Sequence, residues 1–124
     1  MDTHTFLWTM GSDPQLSHRA VAALRRPDGP VFLSAASVFE IGIKHRLGKL
    51  YLADPYVHDL ERAAARAGFV QLPISWAHAA RTRTLETEHK DPFDRLLFAQ
   101  ALCEDLTFVS NEKVADEAGV RRLW

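Results

Sequence analysis

Asp91-Pro92-Phe93-Asp94-Arg95-Leu96-Leu97-Phe98-Ala99-Gln100-Ala101 decides the fold. The stretch joins two carboxylates to a strongly apolar helix. Asp-Pro opens a helix well, because Asp caps the free backbone N–H groups and Pro suits the first helical position. Leu96, Leu97, Phe98, Ala101 and Cys103 then cover a face too wide for a surface helix, so the helix is expected in the core. Two carboxylates in the first turn of a buried helix are either well-placed caps or part of a site at its mouth.

Strands and further helices are read outward from there. Val31-Phe32-Leu33, Phe69-Val70-Gln71-Leu72 and Thr107-Phe108-Val109 are short apolar runs, as in buried parallel strands. Val120 to Leu123 reads as a last strand. Thr5 to Met10 reads as a short helix, and Ser17 caps another that runs to about Arg26. Ser34 to Leu47 is helical, with Val38, Ile41 and Leu47 inward and Gly48 just past its end. Asp54-Pro55 opens a helix to Ala67, stopped by Gly68. Ser75 caps a helix to about Leu85, Glu86 to Lys90 is a polar loop, and Glu112 to Ala118 is a short helix. Strands alternating with helices predict an α/β domain with a mostly parallel central sheet. No repeat or internal boundary interrupts the chain, so residues 1–124 read as one domain.

Composition narrows the functional classes. The chain has 47% hydrophobic and 25% charged residues, which is ordinary for a globular protein. Its formal net charge is −1, so nothing global calls for nucleic acid, and any basic face must be local. Cys103 is the single cysteine, which excludes an intramolecular disulfide and suits a reducing cytoplasm. No apolar run is long enough to span a membrane.

In a parallel α/β sheet, ligands gather at the carboxyl ends of the strands. Asp2 and Glu112 are expected at strand ends, while Glu40 and Asp94 fall in the early turns of helices. Taken singly, each also reads as a cap: Ser37-Val38-Phe39-Glu40 fits a capping box, and Asp91 with Asp94 caps the central helix. Four carboxylates at one edge would repel unless a cation joined them. Hard oxygen donors without Cys or paired His suit Mg²⁺ or Mn²⁺ rather than zinc. Such a site hydrolyses phosphodiesters by activating water and clamping the leaving oxygen. Lys44 is spaced to pair with Glu40 along the helix. Arg46, Lys49 and Arg95 are candidate phosphate contacts or part of a solvated face, and Trp8, Trp76 and Trp124 are expected in core or interface packing.

Four motifs together resemble the PIN-domain ribonucleases, specifically VapC-type toxins of bacterial toxin–antitoxin pairs. They are Asp2 to Trp8, Ser34 to Ile41 with Lys44 and Leu47-Gly48-Lys49-Leu50, His89 to Arg95 with its helix, and Leu106 to Ser110. The resemblance spans nearly the whole chain. It implies a PIN-like three-layer sandwich and a divalent-metal-dependent RNA endonuclease, often dimeric and silenced by a cognate antitoxin. Asp2 and Asp94 match the principal metal ligands and Glu40 the helix Glu. Asp91 is an extra acid, and Ser110 matches a residue that orients the metal's water shell. Glu112 stands where the family usually has Asp, one methylene shorter. The resemblance also implies an apolar strand before the first Asp, of which only Met1 is present here. The expectation is a truncated first strand, marginal stability, and an in-frame apolar segment of about four residues upstream. Two other readings are an impaired remnant that only binds an antitoxin, and a phosphatase with an Asp nucleophile. The phosphatase wants Asp-x-Asp, and His4 occupies its second position.

Overall fold

The computed structural model of the protein describes residues 1–25, 27–52 and 56–124. In chain order the elements are α1 (Thr3–Gly11), α2 (His18–Arg25), β1 (Val31–Ser34), α3 (Ala35–Arg46), α4 (Tyr56–Arg66) and β2 (Phe69–Leu72). They continue with α5 (Trp76–Arg81), a 3₁₀ turn (Thr82–Thr84), α6 (Pro92–Cys103), β3 (Phe108–Val109), α7 (Val114–Glu117) and β4 (Arg122–Leu123). Helices dominate this α/β fold.

All strand pairing among the described residues is parallel, as expected, but it falls into two pairs rather than one continuous sheet. β1 runs beside β2 with Val31 opposite Phe69 and Ser34 opposite Leu72. β3 runs beside β4 with Val109 opposite Leu123. Between β1 and β3 lies a cavity of about 190 Å³ lined by Met1, Val31, Phe32, Leu97, Phe108 and Val109, among others. Asp2 continues the pairing by one bond: its extended backbone donates from N to the Val109 carbonyl at 3.1 Å.

The caps fix where each helix begins. Asp2 Oδ1 accepts from Thr5 N at 2.6 Å, which starts α1 two residues earlier than the sequence suggests. Ser17 Oγ accepts from Ala20 N at 3.0 Å. Ser34, not Ser37, caps α3, through a bond from Ala36 N, so the capping-box reading of Ser37 and Glu40 does not hold. Asp91 Oδ1 accepts from Phe93 N and Asp94 N, with Pro92 in the first turn of α6. Asp54-Pro55, the expected start of the next helix, lies outside the described residues. The backbone of α4 is non-helical at Asp59, whose carboxylate accepts from Arg62 N and caps the regular turns beyond it. Gly48 and Gly68 take φ of +69° and +86° as they leave α3 and α4, the left-handed geometry that glycine adopts freely.

Two apolar clusters form the core. One surrounds α6, where Leu97, Phe98 and Ala101 pack with Ala36, Phe108 and Val120. The Phe98 and Phe108 rings meet edge to face at 5.6 Å between centroids, a favoured aromatic geometry. The other joins Phe6, Leu33, Ile41, Leu52 and Ala64, with Phe69 edge-on to Phe6. Two inward placements fail. Cys103 is exposed at the last turn of α6 and Leu47 is exposed beyond α3, while Trp76, 95% exposed, lies outside the core of this chain. Each sits at a helix end that reaches past the core. Among the described residues no helix is long and apolar enough to cross a membrane.

Candidate active site

The site begins where α1 leaves the β3 side of the molecule. Asp2 is 2% exposed. Its Oδ1 is engaged by Thr5 N, whereas Oδ2 is buried without a hydrogen-bond partner. Two hydroxyls share that condition, Thr5 Oγ1 on α1 and Ser37 Oγ on α3. The two helices pack on each other, so all three atoms lie on one packed helix pair.

Thr3 carries the site across to α3. Its hydroxyl donates to Glu40 Oε2 at 2.5 Å. Lys44, one turn further along α3, bonds Glu40 Oε1 as its spacing predicts. Both oxygens of the buried Glu40 are thus held, one by a hydroxyl and one by a cation.

Asp94 faces this group from the first turn of α6. Burial is the main influence on it and raises its carboxyl above the usual 3.8. The hydrogen bond from His89 pulls the other way, while the neighbouring charges of Asp91 and Glu40 raise it further. The influence of Glu40 ties α3 electrostatically to α6. His89 Nε2 lies 2.7 Å from Asp94 Oδ2.

The remaining predicted residues have partners of their own, and the charge of Asp91 also acts on Asp94. Asp91 is exposed and occupied in capping. Ser110 is fully buried, and its hydroxyl accepts from Glu112 N at 2.9 Å. The backbone of Glu112 therefore touches the serine, while its residue is exposed. Arg122 holds the Ser110 carbonyl at 3.1 Å and grips Asp116 with two further bonds. His4 is exposed and lies against Trp8. Arg95, expected among the phosphate contacts, instead directs its guanidinium to the backbone carbonyls of Thr82, Thr87 and His89. Thr3 and His89 fall within the sequence motifs, but nothing in the sequence assigns a role to either of them or to Arg122. Only His89, five residues before Asp94, carried a local signal.

Among the described residues no three His, Cys, Asp or Glu side chains gather closely enough to cage a metal ion. Hydrated Mg²⁺ needs less, because it keeps several waters and is commonly held by one or two carboxylates. The unpartnered Oδ2 of Asp2 suits that demand, since a buried carboxylate oxygen without a donor is costly until a cation or its water satisfies it. The donors are hard oxygens, which fit such an ion and not a thiophilic one.

Comparison with known proteins agrees with this architecture. Residues 1–120 match the PIN domain, and the chain belongs to that family. PIN domains are generally nucleases that use divalent metals. Among solved structures, FitAcB from Neisseria gonorrhoeae is similar in fold. It is 24% identical, with a TM-score of 0.66 over 99% of this chain and 94% of that one. No curated protein matches the chain.

Proposed function

We propose that residues 1–124 act as one cytoplasmic Mg²⁺- or Mn²⁺-dependent endoribonuclease domain, the toxin of a VapC-type toxin–antitoxin pair. The carrying observation is Asp2 Oδ2, buried and unpartnered next to Thr3, whose hydroxyl holds the Glu40 that in turn bears on the raised Asp94 carboxyl. Asp2 and Asp94 are the residues that would hold the ion, with Asp91 and Glu112 at the margin. A divalent ion there would supply charge stabilisation at the phosphodiester and acidify water. Glu40, fixed by Thr3 and Lys44, keeps negative charge in the pocket and orients water. Ser110 holds the turn that carries Glu112.

Purified protein incubated with total RNA, with and without EDTA, tests the reading. Cleavage should need added Mg²⁺ or Mn²⁺ and should fall sharply in Asp94→Asn. Undiminished cleavage in EDTA, or by Asp94→Asn, would overturn it. One observation favours the other reading, a remnant that only binds an antitoxin: both Glu40 oxygens are already engaged within the protein. A metal-replete protein that cleaves no RNA yet captures its antitoxin would decide for the remnant.

A homodimer and an antitoxin complex belong to the same proposal. Phe6 on α1 is wholly buried and adds nothing to an exposed interface. Among the described residues the large exposed apolar side chains are Phe39, Ile43, Leu47, Tyr51, Val70, Ile74 and Trp76. Contiguous apolar surface marks interaction sites, and Phe39 and Val70 line one surface pocket. Sedimentation at micromolar concentration should show a dimer, and a monomer would count against it.

A further inference from the structure

Residues 86–90 form a loop tied to the first turns of α6 by that helix itself. Arg95, one residue beyond Asp94, is half-buried. Its Nη1 donates to the carbonyls of Thr87 and His89, both at 3.0 Å, and its Nη2 donates to Thr82 at 2.7 Å. His89 N adds a bond to Thr87 Oγ1 at 3.2 Å. The backbone of His89 is thereby fixed from both sides. The imidazole lies near the fully buried Phe98, with 6.0 Å between ring centroids, and its Nε2 reaches Asp94 Oδ2 at 2.7 Å.

We propose that His89 is the positioning residue of Asp94. Its Nε2–H donates to Oδ2, fixes the plane of the carboxylate, and leaves Oδ1 as the oxygen offered to a divalent cation. This inference rests on the reading of Asp94 as a metal ligand. An exposed, unanchored ion pair would hold no geometry, because two long side chains lose more freedom than the contact returns. Here the ring is anchored by a clamped backbone and a core aromatic before it reaches the carboxylate. Carboxylates that bind metals are commonly oriented by just such outer hydrogen bonds. His89 is not itself a ligand here, since the Nε2 it turns toward the site is engaged by Asp94.

The test uses Mn²⁺ alone, titrated into the RNA-free full chain and followed by the paramagnetic resonance of the free ion. Melting of the metal-free protein is measured in parallel. His89→Ala should weaken Mn²⁺ binding by about 10–100-fold at a temperature where it remains folded. His89→Gln, whose amide nitrogen donates from near the Nε2 position, should recover most of that loss. Equal affinity in the parent and His89→Ala overturns the proposal, as does a His89→Gln no better than His89→Ala. Should His89→Ala not fold, the parent ring decides. Long-range ¹H–¹⁵N correlations must then show Nε2 carrying the proton, and a bare Nε2 overturns the assignment. A parent that binds no Mn²⁺ is a different failure: it removes the metal reading of the pocket, and the proposal with it.

Discussion

Arg95→Ala separates a structural arginine from a substrate-binding one. The guanidinium makes three bonds to backbone carbonyls, those of Thr82, Thr87 and His89. A hydrogen bond to a charged group contributes about 1.5–3 kcal/mol net. The three do not add in full, because Glu86, Glu88 and Lys90 leave the loop exposed enough for water to replace part of what is lost. A net cost of about 2–4 kcal/mol follows. For a chain of this size each kcal/mol moves the midpoint by about 4 °C, so the variant should melt about 8–16 °C below the parent. Arg95→Lys keeps the charge but places its donors on one nitrogen, so it should recover only part of the loss. Thermal circular dichroism gives the midpoint, and hydrogen exchange should quicken at the His89 amide. If Arg95 contacted phosphate instead, the alanine variant would keep its midpoint and show weaker, less salt-dependent RNA binding. A midpoint within about 2 °C of the parent, some 0.5 kcal/mol, would refute the clamp.

Three other outcomes follow from the same geometry. Burial raises the Asp94 carboxyl above 3.8, so the fold favours its protonated form. That contribution is complete below 3.8 and is lost as pH rises through the raised value. Metal-free Asp94→Asn should therefore melt at or above the parent at pH 7, with no such advantage at pH 3.5. A lower midpoint at pH 7 would contradict the burial argument. Thr3→Val removes a donor from the buried Glu40 and should cost about 1–3 kcal/mol in urea denaturation, whereas Thr3→Ser should stay close to the parent. Phe98→Ala empties the centre of the larger cluster and should cost about 3–5 kcal/mol, a large share of the roughly 5–15 kcal/mol that stabilises a typical domain. A Phe98→Ala protein that melts like the parent would show that the core closes over the gap.

What could be read in the sequence was local. Ser17, Ser75 and Asp91 cap helices because a short polar side chain finds a free N–H within three residues, and nothing distant interferes. β1 and β2 follow from apolar runs between turn residues. The side a residue faces at the end of a helix is not local. Leu47 and Cys103 continue apolar patterns, but their helices have already run past the core. The bond between Thr3 and Glu40 bridges 37 positions, and no spacing announces it. Nor does sequence say whether Arg95 turns outward to a substrate or back onto its own loop.

Asp2 shows why the cap and site readings of the carboxylates were not true alternatives. A carboxylate has two oxygens, and an N-cap needs one. Asp2 Oδ1 starts α1, while Oδ2 stays buried and unsatisfied. At α6 the roles fall to two residues, since Asp91 satisfies the N–H groups and leaves Asp94 to face Glu40. At α3 a serine caps and Glu40 comes a turn later, held by a hydroxyl from α1. Each helix N-terminus thus satisfies its own backbone first and has a carboxylate oxygen or a whole side chain left over. The partial positive charge of a helix N-terminus also lowers the cost of holding negative charge close to it. The acidic group at these helix starts is therefore a product of how the helices begin, so removing a cap should disturb the charge beside it as well as the helix.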